Sequence, residues 1–293
     1  MIAVVDIDAQ RDDSASGNAV RHIANLAERS GWRSYAVPRD FDAVGGADNA
    51  LWHVPTFESP QRAVWVGYMA PPDVYEKAYE GLASRNVFLI NNPDQHLRSE
   101  EFDAWYPQLE DLTCLSAVVE TPEEAVYAAQ RIGYPVFLKG TVQSLKAEGL
   151  SSCRADNDGE VIAVATRLLQ HASRTRGRVV VREMMQLRSS GVGPTGMPAT
   201  REFRVFVLDG TVADTGYYWP IEDSLAKLQE TECRTIERLA VKVQETIDVP
   251  WLAVDIGQLD NGDWQMIEIG DAQFAGTCHA SPFRLLEALR TRD

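Results

Sequence analysis

The stretch "GDWQMIEIGDAQFAG", residues 262–276, reads as a closing strand into which two acids, Glu268 and Asp271, intrude where apolar packing should continue. A carboxylate buried at the end of a hydrophobic strand is unfavourable unless it is hydrogen-bonded, charge-paired or bound to a metal. Just upstream, "PWLAVDIGQL" is another apolar strand carrying one acid, Asp255, and the turn "DNGD" joins the two. Asn-Gly between apolar runs is a strong hairpin signal. Pairing across it sets Asp255 close to opposite Glu268, with Cβ atoms within about 5.5 Å. Two like charges that close repel. A shared divalent cation relieves the repulsion, and Asp271 adds a third oxygen just past the strand end. Protonation of one acid, or an arginine beside the other, relieves it without a metal.

Working outward, "REFRVFVLDG" and "TVADTGYYW" form a further hairpin with Asp-Gly at its tip. The alternation of side chains sends Glu202 and Arg204 to one face and Phe203, Val205 and Val207 to the other. An acid and an arginine on one face serve either anion chemistry or a structural ion pair. Before this hairpin, "CLSAVVE" is a strand and "TPEEAVYAAQRIG" a helix with Thr121 as N-cap, Pro122 at the first helical position and Gly133 at its end. "YPVFLKG" is the next strand. Lys139 at its end marks either a solvated strand terminus or a point charge for phosphate. There follow a polar loop, "GTVQSLKAEGLSS", a helix expected from about Asp158 to Arg174, the strand "RVVVREMM", and a long helix expected over roughly 222–246.

The first third alternates strands ("IAVVDID", "SYAVP", "RAVWVG", "VFLIN") with helices over about 17–29, closed by Gly31, and from about Asp73 to Ser84, with Asp73 as N-cap. Such alternation predicts a parallel sheet. At 293 residues, 45% of them hydrophobic, the chain has room for one large or two medium domains. No apolar run is long enough to span a membrane, and "MIAVVDIDAQ" lacks the form of a signal peptide, so a soluble, cytoplasmic protein is expected. Cys114, Cys153, Cys233 and Cys278 are widely spaced, which predicts reduced, structural thiols. The net charge of −15 argues against a broad nucleic-acid surface. An anionic nucleotide would need a few well-placed cations and a divalent metal.

Two local patterns are set aside. Gly191, Gly193 and Gly196 satisfy G-x-G-x-x-G, but Pro194 removes an amide and a strand follows where a helix is needed, so the segment reads as a loop lining an acceptor site. Cys278 and His279 are adjacent in an extended segment and point opposite ways, which excludes a nucleophilic dyad.

From about Thr113 to Gly276 the ordered motifs resemble the ATP-grasp superfamily of ATP-dependent ligases, and the first 110 residues look like the small α/β domain that precedes it. "WVGYMAPPDVYEKAYEGLASRNVFLINNPDQH", "WYPQLEDLT" and "FLKGTVQSLKAEG" resemble a clade of small stand-alone bacterial and phage ATP-grasp proteins. The resemblance implies an α/β fold: a parallel-sheet N-terminal domain (1–111), then a two-lobed α+β ATP-grasp module (112–293) with lobes 112–185 and 186–293. It implies that ATP and Mg2+ bind between the lobes. Lys139 would contact the phosphates and adenine, and Ser144 and Lys146 would form the Ser-x-Lys element of the phosphate loop. Glu183, Met184 and Met185 would read the adenine edge, although the methionines also suit a core. Glu202 and Arg204 would face the phosphates and the reacting acyl group. Asp255 and Glu268 would hold the metal, with Lys146 and Arg204 as the catalytic cations.

The implied reaction is ATP-dependent carboxylate–amine ligation through an acyl phosphate. The implied partners are a carboxylate substrate and an amine acceptor (an amino acid, peptide or protein end), and a homodimer, as in many relatives. A phosphotransferase, a nucleic-acid-end ligase or a degenerate nucleotide-binding module stays open as an alternative. Two departures bear on this. Relatives usually carry Asn two residues after the metal-binding glutamate, where this chain has Gly270, so the third ligand is either Asp271 or absent. Tyr217, Tyr218 and Trp219 stand where many relatives have a basic residue, which shifts that role to Lys146; the aromatic cluster lines an acceptor pocket or fills the hairpin core.

Overall fold

The computed structural model describes residues 1–193 and 196–291; Pro194, invoked above, lies outside them. Strands β1 (Ile2–Asp6), β2 (Arg33–Val37), β3 (Gln61–Val66) and β4 (Val87–Leu89) pair in the order β2-β1-β3-β4, all parallel. Every residue of β1 is buried, as a central strand covered on both faces requires. The intervening helices are α1 (Ile7–Arg11), α2 (Ala15–Arg29), α3 (Ala47–Ala50) and α4 (Pro72–Ala83). Gly31 follows α2 at φ +83°, the left-handed position that favours glycine after a helix. Asp73 lies within the first turn of α4 and does not cap it; Pro71 precedes the helix, and Pro72 presets its first φ.

Two short helices, α5 (Pro93–Glu100) and α6 (Phe102–Leu109), lead out of this sheet. Phe102, Trp105 and Leu109 are buried in the same core as the C-terminal sheet, so α6 packs away from the parallel sheet with which the 1–111 division groups it. Strands β5 (Ser116–Val119), β6 (Val136–Gly140), β7 (Arg154–Ala155) and β8 (Val179–Glu183) then form an antiparallel sheet in the order β5-β8-β6-β7. It is covered by α7 (Pro122–Ile132), opened by a Thr121–Glu124 capping box, and by α8 (Asp158–Leu169). The single helix expected over 158–174 is broken at Gln170–His171 and resumes as α9 (Ala172–Thr175). At the end of α9 the Arg174 carbonyl accepts the amides of Val142 and Gln143 (3.0 and 3.1 Å), which pins the 140–152 loop.

A small ribbon, β9 (Ser189–Val192) and β10 (Pro198–Thr200), carries Gly191. This antiparallel ribbon lacks the strand-to-helix turn that a dinucleotide fingerprint requires. The last sheet has the order β12-β11-β13-β14 and is antiparallel throughout: β11 (Glu202–Leu208), β12 (Thr211–Tyr217), β13 (Trp251–Gln258) and β14 (Trp264–Asp271). Helix α10 (Glu230–Ile247) starts eight residues later than the expected 222, at a Gln229–Glu232 capping box. It covers the face formed by Phe203, Val205, Val207, Leu252, Val254 and Ile256. Phe206, Leu208, Trp251 and Ala253 pack on the other face against residues of α2 and of α11 (Pro282–Arg290). Among the described residues no helix is long and apolar enough to cross a membrane, and all four cysteines are free.

Candidate active site

Register decides the site. Arg204 on β11 pairs with Asp255 on β13, which pairs with Glu268 on β14, so the three form one row across the sheet. The two acids are opposite one another, as the hairpin reading expects, and each has its own cation. Arg204 forks Asp255 through Nε and Nη2 (2.7 and 2.8 Å), while Lys139, reaching from β6 of the facing sheet, pairs with Glu268. Burial pushes the Glu268 carboxyl up, but Lys139 and Lys146 outweigh it and hold it below its usual value. Burial pulls Lys139 below the usual lysine value, and Glu268 only partly restores it. Arg204 is raised: burial opposes its charge, and Asp255 more than compensates.

A cavity of about 640 Å³ opens between the two antiparallel sheets, with Lys139, Glu183, Met184, Met185, Glu202 and Glu268 in its wall. The Met184 and Met185 amides donate to no described group, whereas the Met185 carbonyl accepts from Leu187 (3.0 Å) and the Met184 carbonyl from Gln186 Nε2 (3.1 Å). The Glu183 side chain is exposed. Glu202 is buried, accepts from Thr200 Oγ1 and makes no ion pair with Arg204; burial raises its pKa. A second chamber of about 410 Å³ contains Arg204, Asp255 and Tyr218, and meets the first at Ser144, Lys146 and Glu268. Lys146 Nζ donates to the Tyr218 hydroxyl across the gap between the sheets.

Asp271 lines the second chamber too, but its carboxylate is engaged elsewhere. It is fully buried, and its carboxylate accepts from Asn91 Nδ2 (2.8 Å) and the Gln273 amide (3.0 Å) and meets His96 Nδ1 at 3.0 Å. The other ring nitrogen, Nε2, lies 3.3 Å from the Ala70 carbonyl. Oxygens facing both nitrogens favour the imidazolium form. Burial lowers its pKa, and the hydrogen bond and charge of Asp271 outweigh that and raise it. The Asp271 carboxylate is therefore engaged with a buried histidine, Asn91 and Gln273, which favours the reading in which the third metal ligand is absent.

A family model described as an ATP-grasp domain, the third family of its clade, matches residues 91–289. The chain belongs to the ATP-grasp family. Solved ATP-grasp structures share its fold across nearly the whole chain. A RimK domain ATP-grasp protein from Sphaerobacter thermophilus is 14% identical, with TM-score 0.58, covering 100% of this chain and 95% of that one. The ATP-grasp ligase PsnB with a minimal precursor is 14% identical, with TM-score 0.61 and coverage of 100% and 99%. D-alanyl-alanine synthetase A from Vibrio cholerae is 13% identical, with TM-score 0.64 and coverage of 98% and 92%. A search of curated proteins gives no match.

Two residues lining these chambers, Arg182 and Glu100, escaped the sequence reading, and Tyr218 was read only as part of an aromatic cluster lining an acceptor pocket or filling the hairpin core. Arg182, buried on β8, bonds Ser116 Oγ, Thr113 Oγ1 and the Ile267 carbonyl; a lone charge inside "VVVRE" was its signal. Tyr218 turns into the second chamber while Tyr217 and Trp219 join the core. Glu100, at the end of α5, reaches the same chamber from outside both antiparallel sheets, and no local pattern marks it. Its Oε1 accepts the Asp271 amide (2.8 Å) and lies 3.6 Å from where a Cβ on Gly270 would sit, an ordinary contact. Burial, with Asp271 and Glu268 nearby, pushes the Glu100 carboxyl up to about 7 against the opposing pull of His96.

A carboxyl whose folded pKa is raised contributes fully below its unfolded value and loses that contribution as pH rises through the folded value. Glu100→Gln should therefore be stabilising by roughly 2–3 kcal/mol at pH 8 and near neutral at pH 4.5. Urea unfolding at the two pH values checks this; equal effects at both would refute it.

Proposed function

We propose that this protein is an ATP-dependent carboxylate–amine ligase that binds Mg-ATP between its two antiparallel sheets. The observation that carries the reading is the meeting of Lys139 on β6 and Lys146 on the loop that follows it with the Arg204–Asp255–Glu268 row of the other sheet, at the junction of the two chambers. The free Met184 and Met185 amides suit an adenine edge at the far end of the larger cavity. Lys139, Ser144 and Lys146 lie between that end and the second chamber, where the phosphates would run.

The donor set suits magnesium. Asp255 and Glu268 offer only oxygens and already sit against positive charge. Among the described residues no three such side chains are grouped closely enough to hold a metal unaided. Two carboxylates suffice for an ion that takes its other ligands from phosphate and water. When bound, the metal neutralises charge on the phosphates.

The chain's own work is positioning and charge stabilisation. Asp255 keeps Arg204 aimed, and the Arg204 Nη1 bond to the Gly276 carbonyl (2.9 Å) fixes it beside the 272–277 segment. Lys146 and Arg204 stabilise charge on the transferring phosphoryl group. A substrate carboxylate takes the terminal phosphoryl group of ATP, ADP leaves, and an amine displaces phosphate to form the amide. An amino acid, peptide or protein end is the proposed acceptor class.

The test is turnover with Mg-ATP, candidate carboxylates and amines, following ADP, free phosphate and the mass of the product. ADP and phosphate formed in equal amounts, only with both substrates present, support ligation. Phosphate retained on the product makes the protein a phosphotransferase, and nucleotide binding without ADP across the panel makes it a binding module.

A further inference from the structure

Tyr218 sits between the two sheets in a way that packing alone does not require. Along "YYW" the side chains alternate, so Tyr217 and Trp219 are 3% and 8% exposed in the core while Tyr218 faces the second chamber. Its backbone is fixed by the amide bond to the Glu202 carbonyl (3.0 Å), and its ring packs edge-on against Trp219.

Two cations, Lys146 from the loop after β6 and Arg204 from β11, share this ring. Lys146 Nζ lies 4.6 Å from its centroid and the Arg204 guanidinium carbon 5.3 Å. Such contacts are attractive singly, but the two charges repel each other. Arg204 is neutralised by its fork on Asp255. Lys146 is not: among the described residues no carboxylate lies within ion-pair distance of it, and the Tyr218 oxygen is its hydrogen-bond partner. Glu268 and Glu202 act on this largely desolvated ammonium only from beyond contact, so it has no anion bonded directly to it. The phenol oxygen accepts from Lys146, so its own O–H remains free to donate. The ligand that satisfies both is a compact anion with several acceptor oxygens, placed where the two chambers meet.

The geometry points to Tyr218 as a positioning residue for the terminal phosphoryl group of a nucleoside triphosphate, holding Lys146 in place and donating its own hydroxyl. This rests on the nucleotide reading above. It predicts discrimination between nucleotides that differ only in that group.

The experiment is calorimetric titration of the full chain with AMPPNP and with ADP, both with magnesium, for wild type, Tyr218→Phe, Lys146→Met and the double variant, after equal melting temperatures are established. Tyr218→Phe should weaken AMPPNP about tenfold, the scale of a hydrogen bond to a charged group, and change ADP less than about twofold. In the Lys146→Met background it should cost nothing more, because the two act as a unit. Equal losses for both nucleotides, or losses that add in the double variant, overturn the proposal and leave Tyr218 a structural residue. Wild type binding both nucleotides equally overturns it while the nucleotide reading stands. Wild type binding neither overturns both.

Discussion

Replacing Glu268 by glutamine is expected to remove the magnesium dependence of nucleotide binding. In the row Arg204–Asp255–Glu268, Asp255 is committed to a two-bonded arginine fork, whereas Glu268 meets a single lysine and is 32% exposed at its side chain. Glu268 is thus the acid freer to exchange its partner for a metal. Glutamine keeps the shape and one acceptor oxygen for Lys139, so the fold should survive, but it removes the charge. If magnesium tightens AMPPNP about a hundredfold in the wild type, the variant should lose nearly all of that, about 2.7 kcal/mol. Without magnesium the sign reverses: removing a negative charge beside the phosphates should tighten metal-free binding slightly. Calorimetry with and without magnesium measures both. A magnesium effect of undiminished size in Glu268→Gln would return the pair to a purely structural role.

The same row shows what the sequence carried and what it did not. Local rules made the hairpin legible through its Asn261-Gly262 turn, although strict alternation from that turn would set Asp255 opposite Ile267, and a β-bulge beside Asp255 brings Glu268 there instead. The capping box at Thr121 was legible for the same reason, as was the Asp209-Gly210 turn, whose two residues both adopt positive φ. What failed was non-local. Asp271 is next to the row in sequence, but its carboxylate meets Asn91 and His96, 180 and 175 positions away in the chain. No spacing rule predicts such an encounter. Glu100 illustrates the complement: an acid at an unremarkable helix end enters the site and accepts the Asp271 amide, 171 positions on in the chain. The Arg174 carbonyl at the end of α9 belongs here too, since it serves a loop around Val142 and Gln143, far upstream in the chain. Tyr218 was visible in sequence as a departure, but its hydrogen-bond partner is a lysine on the loop after β6.

Asp271→Asn should damage the fold without touching metal dependence, which separates it sharply from Glu268. The His96 ring is 1% exposed, stacked on Tyr75 at 4.2 Å and tilted against Phe274 at 5.0 Å, so nothing but the Asp271 carboxylate and the more distant Glu100 offsets its charge. Breaking a buried ion pair from one side typically costs about 3–5 kcal/mol, because the remaining charge is stranded. Asparagine still offers an oxygen, so the loss should approach that range only while the ring is protonated. In the wild type the folded His96 pKa is raised, so its contribution is complete below the unfolded value near 6.5 and fades as pH rises through the folded one. In the variant no carboxylate at 271 opposes burial of the ring, the largest influence on it, which lowers its pKa, so the folded state loses stability as pH falls through the unfolded value. The two stability curves should diverge towards pH 5 and converge towards pH 9. Glu100, raised to about 7 beside the same pair, titrates in part of that window. The comparison is therefore best made in a Glu100→Gln background, by urea unfolding across that range. A constant difference at every pH would mean that Asp271 holds Asn91 and Gln273 and not an imidazolium. Loss of the magnesium effect in the folded variant would restore it to the ligand set.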